Sequence, residues 1–159
     1  MGDATLTCAM AQFTPQQRAF LDAQRAGRLA TADRLGQPHV VPVCYACTAD
    51  ALYIALDEKP KRVPPERLKR VHNILENSRV ALVVDRYDDD WSRLAYVLVE
   101  GRAELLQPGD AEHARAVSLV RGRYLQYQSM ALDLRPIIAI RLSTIVAWGA
   151  LSSSEPGAD

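Results

Sequence analysis

The sequence predicts a mainly β protein: an antiparallel β-barrel of six strands with helices flanking it. Three observations predict this. Six runs rich in apolar and β-branched residues lie between Arg28 and Trp148. The loops between the first of them are too short for parallel crossovers, so neighbouring strands run antiparallel. A lone six-stranded sheet would expose two edges, which a closed or nearly closed barrel removes.

The elements follow in order. Thr14 can cap a helix, Pro15 suits its first position, and Gln17 stands three residues after the cap as in a capping box. Ala19, Phe20 and Ala23 mark its apolar side, and Gly27 offers a left-handed stop. Residues 28–32 form the first strand, and 33–37, with Gly36, a hairpin loop. Residues 38–46 form the second, carrying Val40, Val41 and Val43. Its Pro42 lacks a ladder donor and suits an edge, a bulge or a position facing a ligand. Residues 48–50 turn the chain into a third strand, 51–56. Composition then shifts: residues 57–73 hold six basic residues against Asp57, Glu58 and Glu66, and Pro60, Pro64 and Pro65 keep the first half extended. Leu68, Val71, Ile74 and Leu75 are spaced as on a helix over 66–76. Strands follow at 79–85 and 94–106, with Gly101 as a bulge, separated by a polar loop with Tyr87, three aspartates and Trp91. A helix starts at Pro108-Gly109-Asp110 and runs to about Leu125, with Ala114, Val117, Leu119 and Val120 available to be buried. The last strand is 136–148. Residues 14–151 therefore make one barrel domain, preceded by an extension, 1–13, and followed by a disordered tail, 152–159.

Composition excludes several functions. The chain has 159 residues, with Lys+Arg 19 against Asp+Glu 19 and a formal net charge of +0, so no chain-wide footprint for nucleic acid exists. Hydrophobic residues at 48% and charged residues at 24% are globular values. No apolar run approaches the ~20 residues that span a bilayer, and residues 1–10 lack the pattern of a secretory signal, so no membrane partner and a cytoplasmic location are expected. GxSxG, GxGxxG and Walker patterns are absent. The cysteines Cys8, Cys44 and Cys47 lack the further clustered ligands that zinc needs. Cys44 and Cys47 read as buried, metal-free residues on opposite faces of a strand. Asp88-Asp89-Asp90 reads as a solvated turn. Tyr45 and Tyr53 pack in or line the barrel, whereas Trp91 and Trp148 read as interface or core anchors.

The basic segment from Lys59 to Arg70 is the most informative feature. Taken alone it is equally a solvated face. As an anion site, side chains from a strand end and the start of a short helix converge on a phosphate, and Arg supplies a fork. Removing one such contact is then expected to weaken anion binding and leave folding unchanged.

The series Leu29-Ala30-Thr31, Pro38-His39-Val40-Val41-Pro42-Val43, Lys59-Pro60-Lys61-Arg62, Arg70-Val71-His72-Asn73-Ile74 and Val83 to Trp91 resembles the pyridoxamine 5′-phosphate oxidase-like family, over about residues 26–149. More narrowly it looks like the branch of probable enzymes dependent on the deazaflavin coenzyme F420. The resemblance implies a six-stranded split barrel of the FMN-binding type, forming a homodimer with cofactor at the interface. It implies that His39, Val41, Pro42, Val43 and Tyr45 line the ring, and that Lys59, Lys61, Arg62, Arg70 and Asn73 hold the phosphate or acidic tail. The activity implied is hydride transfer between coenzyme F420 and an unsaturated small organic substrate. FMN in the same fold, or a flavin- or deazaflavin-binding protein without turnover, are the alternatives. No side chain stands out as a general acid. Backbone amides near Pro42 and Tyr45 can polarise the ring.

Overall fold

The computed structural model of the protein describes residues 10–57, 64 and 67–152. Helix α1, Pro15–Ala23, begins as the sequence dictates: the Thr14 side chain accepts from the Gln17 amide, and Gln17 reciprocates with the Thr14 amide. Its end differs from the expectation. Gln24 leaves the helix in an extended conformation, and Gly27 instead opens strand β1, Gly27–Ala32, where a Cβ would sit 3.0 Å from Val84 Cγ2. The last carbonyls of α1 find partners elsewhere. Phe20 and Leu21 are the buried residues of α1, while Ala19 and Ala23 face solvent.

The remaining strands are β2, Pro38–Val43; β3, Ala46–Cys47; β4, Ala51–Ala55; β5, Arg79–Arg86; β6, Ala95–Leu106; and β7, Ile137–Gly149. Helix α2, Lys69–Glu76, precedes β5, and α3, Ala111–Arg123, lies between β6 and β7. All strand pairs are antiparallel, in the order β2-β1-β5-β6-β7-β4-β3. The strands number seven, not six. Residues 38–46 do not form one strand, because Tyr45 donates its amide to the Tyr124 hydroxyl, at 3.0 Å, rather than to a ladder.

That break closes the fold. β2 and β3 are opposite edges of the sheet, yet only Cys44 and Tyr45 separate them. Three Cα steps reach about 11 Å at most, so the sheet must curl until its edges meet. Gly101 sits at the register shift in the long β6–β7 pair, where a Cβ would fall 2.1 Å from the Arg141 carbonyl oxygen.

Two apolar clusters result. Leu29, Leu52, Ile54, Leu82, Val97, Ile138 and Ile140 fill the barrel, stoppered by Phe20 and Leu21 of α1. Ala51, Tyr53, Ala55, Ile137 and Ala139, from the other faces of β4 and β7, pack under Ala116, Val117 and Val120 of α3. Tyr53 thus lies outside the barrel. The buried stripe of α3 is His113, Ala116, Val117 and Val120, rotated from the expected one, and Ala114 and Leu119 face solvent. His113 drives the rotation, since its Nε2 lies 2.7 Å from the Arg135 carbonyl. The α2 helix starts at Lys69, later than the spacing implied, and most of the expected tail lies outside the described residues.

Candidate functional site

The described candidate residues fall on β2, on the Cys44–Tyr45 crossing and on α2. On the edge strand β2, His39 and Val41 are half-buried, Val43 is buried, and Pro38, Val40 and Pro42 point outward. Pro38 and Pro42 share one parity, so ladder donors toward β1 come from His39, Val41 and Val43. Val40 is then the one residue whose amide N–H faces the free edge. Such a strand resists pairing with another chain and leaves its edge open to a flat ligand. His39 Nδ1 is buried without a hydrogen-bond partner among the described residues.

The other wall starts at α2. Asn73 is fully buried and donates Nδ2 to Thr31 Oγ1 of β1 at 3.0 Å. Arg70 is only 8% exposed, which corrects the expectation of a solvent-reaching side chain. Burial lowers its pKa, opposed by Asp57 and Tyr127 nearby. Tyr127 in turn donates its hydroxyl to Asp57 Oδ2 at 3.1 Å. Burial, then the neighbouring Cys44 and Asp57, holds that phenol protonated. Arg70 Nε and Asn73 Oδ1 are buried without hydrogen-bond partners among the described residues. Arg70 Nε lacks an acceptor, which an anion supplies, whereas Asn73 Oδ1 lacks a donor, which a ring N–H supplies. Asp57 and Tyr127 gave no sequence signal: one was merely a charge, and the other lies 70 residues away from it.

Lys59, Lys61 and Arg62 lie outside the described residues. In the chain they stand between Asp57 and α2, whose Arg70 has Asp57 nearby.

Tyr45 is placed differently from the other expected ring-lining residues. It is fully buried, and its hydroxyl donates to the Leu21 carbonyl at 2.5 Å. Arg123 stacks over its ring at 5.0 Å and donates to the carbonyls of Leu21 and Asp22, each at 3.0 Å, and to that of Gln24. Arg25 returns the contact, donating to the Arg123 carbonyl at 2.7 Å. The ends of α1 and α3 thus cap each other across the Cys44–Tyr45 crossing.

Cys44 is half-buried rather than buried, beside Tyr127 and Met130 in the outer cluster, whereas Cys47 is buried inside the barrel, so the two do take opposite faces. Burial pushes the Cys47 thiol up to about 11. Among the described residues no three His, Cys, Asp or Glu side chains cluster as metal ligands. Asp88 and Asp90 pair with Arg93, each at 3.7 Å, and Asp90 caps a short turn at Trp91. Trp91 and Trp148 are 74% and 53% exposed, which rules out a core role. No helix among the described residues is long and apolar enough to cross a membrane.

A curled antiparallel sheet, split beside a proline-bearing edge and walled by a buried arginine, defines a split-barrel protein of the cofactor-binding type. The chain belongs to the pyridoxamine 5′-phosphate oxidase family, an oxidoreductase family whose model matches residues 13–149. It is similar to a 5a,11a-dehydrotetracycline/5a,11a-dehydrooxytetracycline reductase from Streptomyces rimosus, 33% identical over 101 residues, which cover 63% of this chain and 68% of the relative. Among solved structures it is similar to the conserved hypothetical protein Rv2991 from Mycobacterium tuberculosis. That match has a TM-score of 0.69, 21% identity, and coverage of 95% of this chain and 94% of the other. An FAD-binding protein from Mesorhizobium loti matches at a TM-score of 0.59 and 27% identity, over 80% and 86% of the two chains.

Proposed function

We propose that the protein is a cytoplasmic, homodimeric oxidoreductase that moves a hydride between coenzyme F420 and an unsaturated small organic acceptor. The observation that carries this reading is the buried, incompletely bonded Arg70–Asn73 pair on α2, which begins where the basic segment ends. Arg70, Asn73, Lys59, Lys61 and Arg62 would hold the phosphate and acidic tail, and His39, Val41, Pro42 and Val43 the ring. Tyr45 would act only by fixing the crossing, since its hydroxyl is committed to α1 and its backbone amide and carbonyl to the Tyr124 hydroxyl. When bound, the deazaflavin supplies the hydride chemistry, while the chain binds, orients and excludes water. The reductase relative supports the acceptor class, because reduction of a dehydro compound adds hydrogen across an unsaturation. The FAD-binding neighbour keeps FMN as the second reading.

The test is cofactor affinity, read by fluorescence quenching with F420 and with FMN at two ionic strengths. Lys61→Ala is expected to weaken F420 binding ~10- to 100-fold, the equivalent of one charge-assisted contact at roughly 1.5–3 kcal/mol. The loss should shrink as salt rises. Because Arg70 is buried, Arg70→Ala would also perturb folding, so Arg70→Lys, which keeps the charge and loses the fork, is the informative partner. Tighter binding of FMN than of F420 would select the second reading. Absence of binding to either would overturn both.

A further inference from the structure

Helices α1 and α3 cap each other at their ends but leave an open groove of about 750 Å³ between them, floored by Ala46 and Cys47 of β3. Arg18 and Asp22 line it from α1, one turn apart, with Arg25 just beyond the end of that helix. From α3 come Arg115, Ser118, Leu119 and Gly122, at the three- and four-residue steps that share one side of a helix. Arg123 completes the lining. Four arginines against one aspartate give the groove an excess of three positive charges, in a chain whose formal net charge is +0.

Part of that charge is already used. Arg123 is spent on the last carbonyls of α1, and Asp22 lies 3.6 Å from it. Arg25 gives a nitrogen to the Arg123 carbonyl and sits over the Tyr124 ring at 4.7 Å. Arg18 and Arg115 differ. The Nε of Arg18 is buried without a hydrogen-bond partner among the described residues, because Asp22 stops 3.9 Å away. Arg115 makes no hydrogen bond or ion pair among the described residues. Glu112, three residues before it, is already held by Arg141 at 2.6 and 2.8 Å. Each helix therefore brings to one groove a guanidinium with donors to spare.

Gly122 adds an independent sign. A glycine inside a helix costs stability relative to alanine, and neither backbone nor packing calls for one here. Its φ is ordinary, and an added Cβ would meet nothing within 4 Å. What the glycine does is leave the groove wall open beside Leu119, which is 38% exposed.

We propose that this groove binds a small organic phosphate, its phosphoryl oxygens held between Arg18 and Arg115 and its apolar body resting against Leu119 and Gly122. Several cations offset by a single acid favour a dianion over a lone carboxylate, and a phosphomonoester carries about −1.5 to −2 charges near neutrality. Each guanidinium fork matches a pair of phosphoryl oxygens, and Ser118 adds a hydroxyl from the same side of α3. The volume is that of a small-molecule site and exceeds what a bare phosphate fills. A ligand seated there ties α1 to α3, so occupancy stabilises the fold. The lining takes no residue from β2 or α2, and the inference does not rest on the cofactor reading.

The experiment is isothermal titration calorimetry on the full chain with phenyl phosphate and with inorganic phosphate, alongside thermal melts. Phenyl phosphate should bind and raise the melting temperature, and inorganic phosphate should bind more weakly. Arg18→Gln and Arg115→Gln should each weaken phenyl phosphate at least ~10-fold, the loss of one charge-assisted contact. Arg115 is exposed, so its variant keeps the fold. Asp22→Asn should tighten binding, because it removes the opposing charge. Gly122→Leu should weaken phenyl phosphate and leave inorganic phosphate unchanged, since it fills only the apolar half. Lys61→Ala should leave phenyl phosphate binding unchanged. Binding lost in Lys61→Ala but kept in Arg115→Gln would assign the phosphate to the basic segment and overturn the groove. Absence of phenyl phosphate binding to the wild type overturns it too, and inorganic phosphate binding as tightly as phenyl phosphate overturns the organic body. F420 affinity of the wild type judges the cofactor reading separately.

Discussion

The Cys44–Tyr45 crossing and the outer face of β5, β6 and β7 are opposites. At the crossing almost every polar group is matched: Tyr45, Arg123, Tyr124 and the last carbonyls of α1 bond one another around a fully buried ring. On the outer face Val146 and Trp148 stand 43% and 53% exposed, and two arginines, Arg79 and Arg102, oppose each other without an acidic partner among the described residues. The difference separates what holds the chain together from what faces water. A site that closes a barrel must be internally complete, because a buried donor left alone costs about 1–3 kcal/mol. An exposed face carries no such requirement, because water completes its polar groups.

The comparison can be broken first at the crossing. Tyr45→Ala removes a ring that is 0% exposed and is expected to cost about 3–5 kcal/mol, read as the shift of a urea unfolding midpoint. A loss below about 1 kcal/mol would mean that α1 and α3 hold the crossing without it. The next effect is pH-dependent and lies at the fastening of α3 to the sheet. Arg141 donates to Glu112 at 2.6 and 2.8 Å and also to Glu104, and Tyr53 donates to Glu112 at 2.7 Å. The Arg141 bonds, opposed by partial burial and aided by Tyr53, hold the Glu112 carboxyl down from an ordinary 4.5 to about 2. Its folded pKa is the lower one, so its stabilisation is complete above pH 4.5 and is lost as pH falls toward 2. Thermal melts of wild type and Glu112→Gln should differ most near neutrality and converge over that window. A constant gap would show that Glu112 acts by packing alone. Tyr45→Phe, which keeps the ring and deletes the bond to Leu21, should cost about 1 kcal/mol. The smallest expected effect is a gain. Gly122 lies within α3 with an ordinary φ, and a Cβ added there would meet nothing within 4 Å, so Gly122→Ala should stabilise by roughly 0.5–1 kcal/mol.

What the sequence revealed depended on how far apart cause and effect lie. Thr14, Pro15 and Gln17 make a capping box among themselves, and the first helix began where they said. Gly101 announced the bulge, because glycine in a strand run has few other uses. The break at Tyr45 was illegible, since it is imposed by Tyr124, 79 residues away. For the same reason Arg70 read as a surface cation: its burial depends on Asp57 and Tyr127, which only the folded sheet brings to it. The buried face of α3 departs from the apolar pattern because His113, a polar residue, is the one that turns inward, toward Arg135. At the candidate site, then, the basic segment and the proline edge were visible in advance. The acid and the phenol behind them were not.

The wiring of the sheet also governs the order in which the molecule can be made. β4 pairs with β7 at separations as wide as Ala51 to Arg141, and β7 is the last of the seven strands to leave the ribosome. Until Ile137–Gly149 emerges, β4 and β6 each present a bare apolar edge that has no other strand to take it. Nascent chains must therefore wait with their middle third exposed, and chains cut short before Ile137 should be prey to chaperones, proteases and aggregation in a way that loss of a terminal helix would not explain.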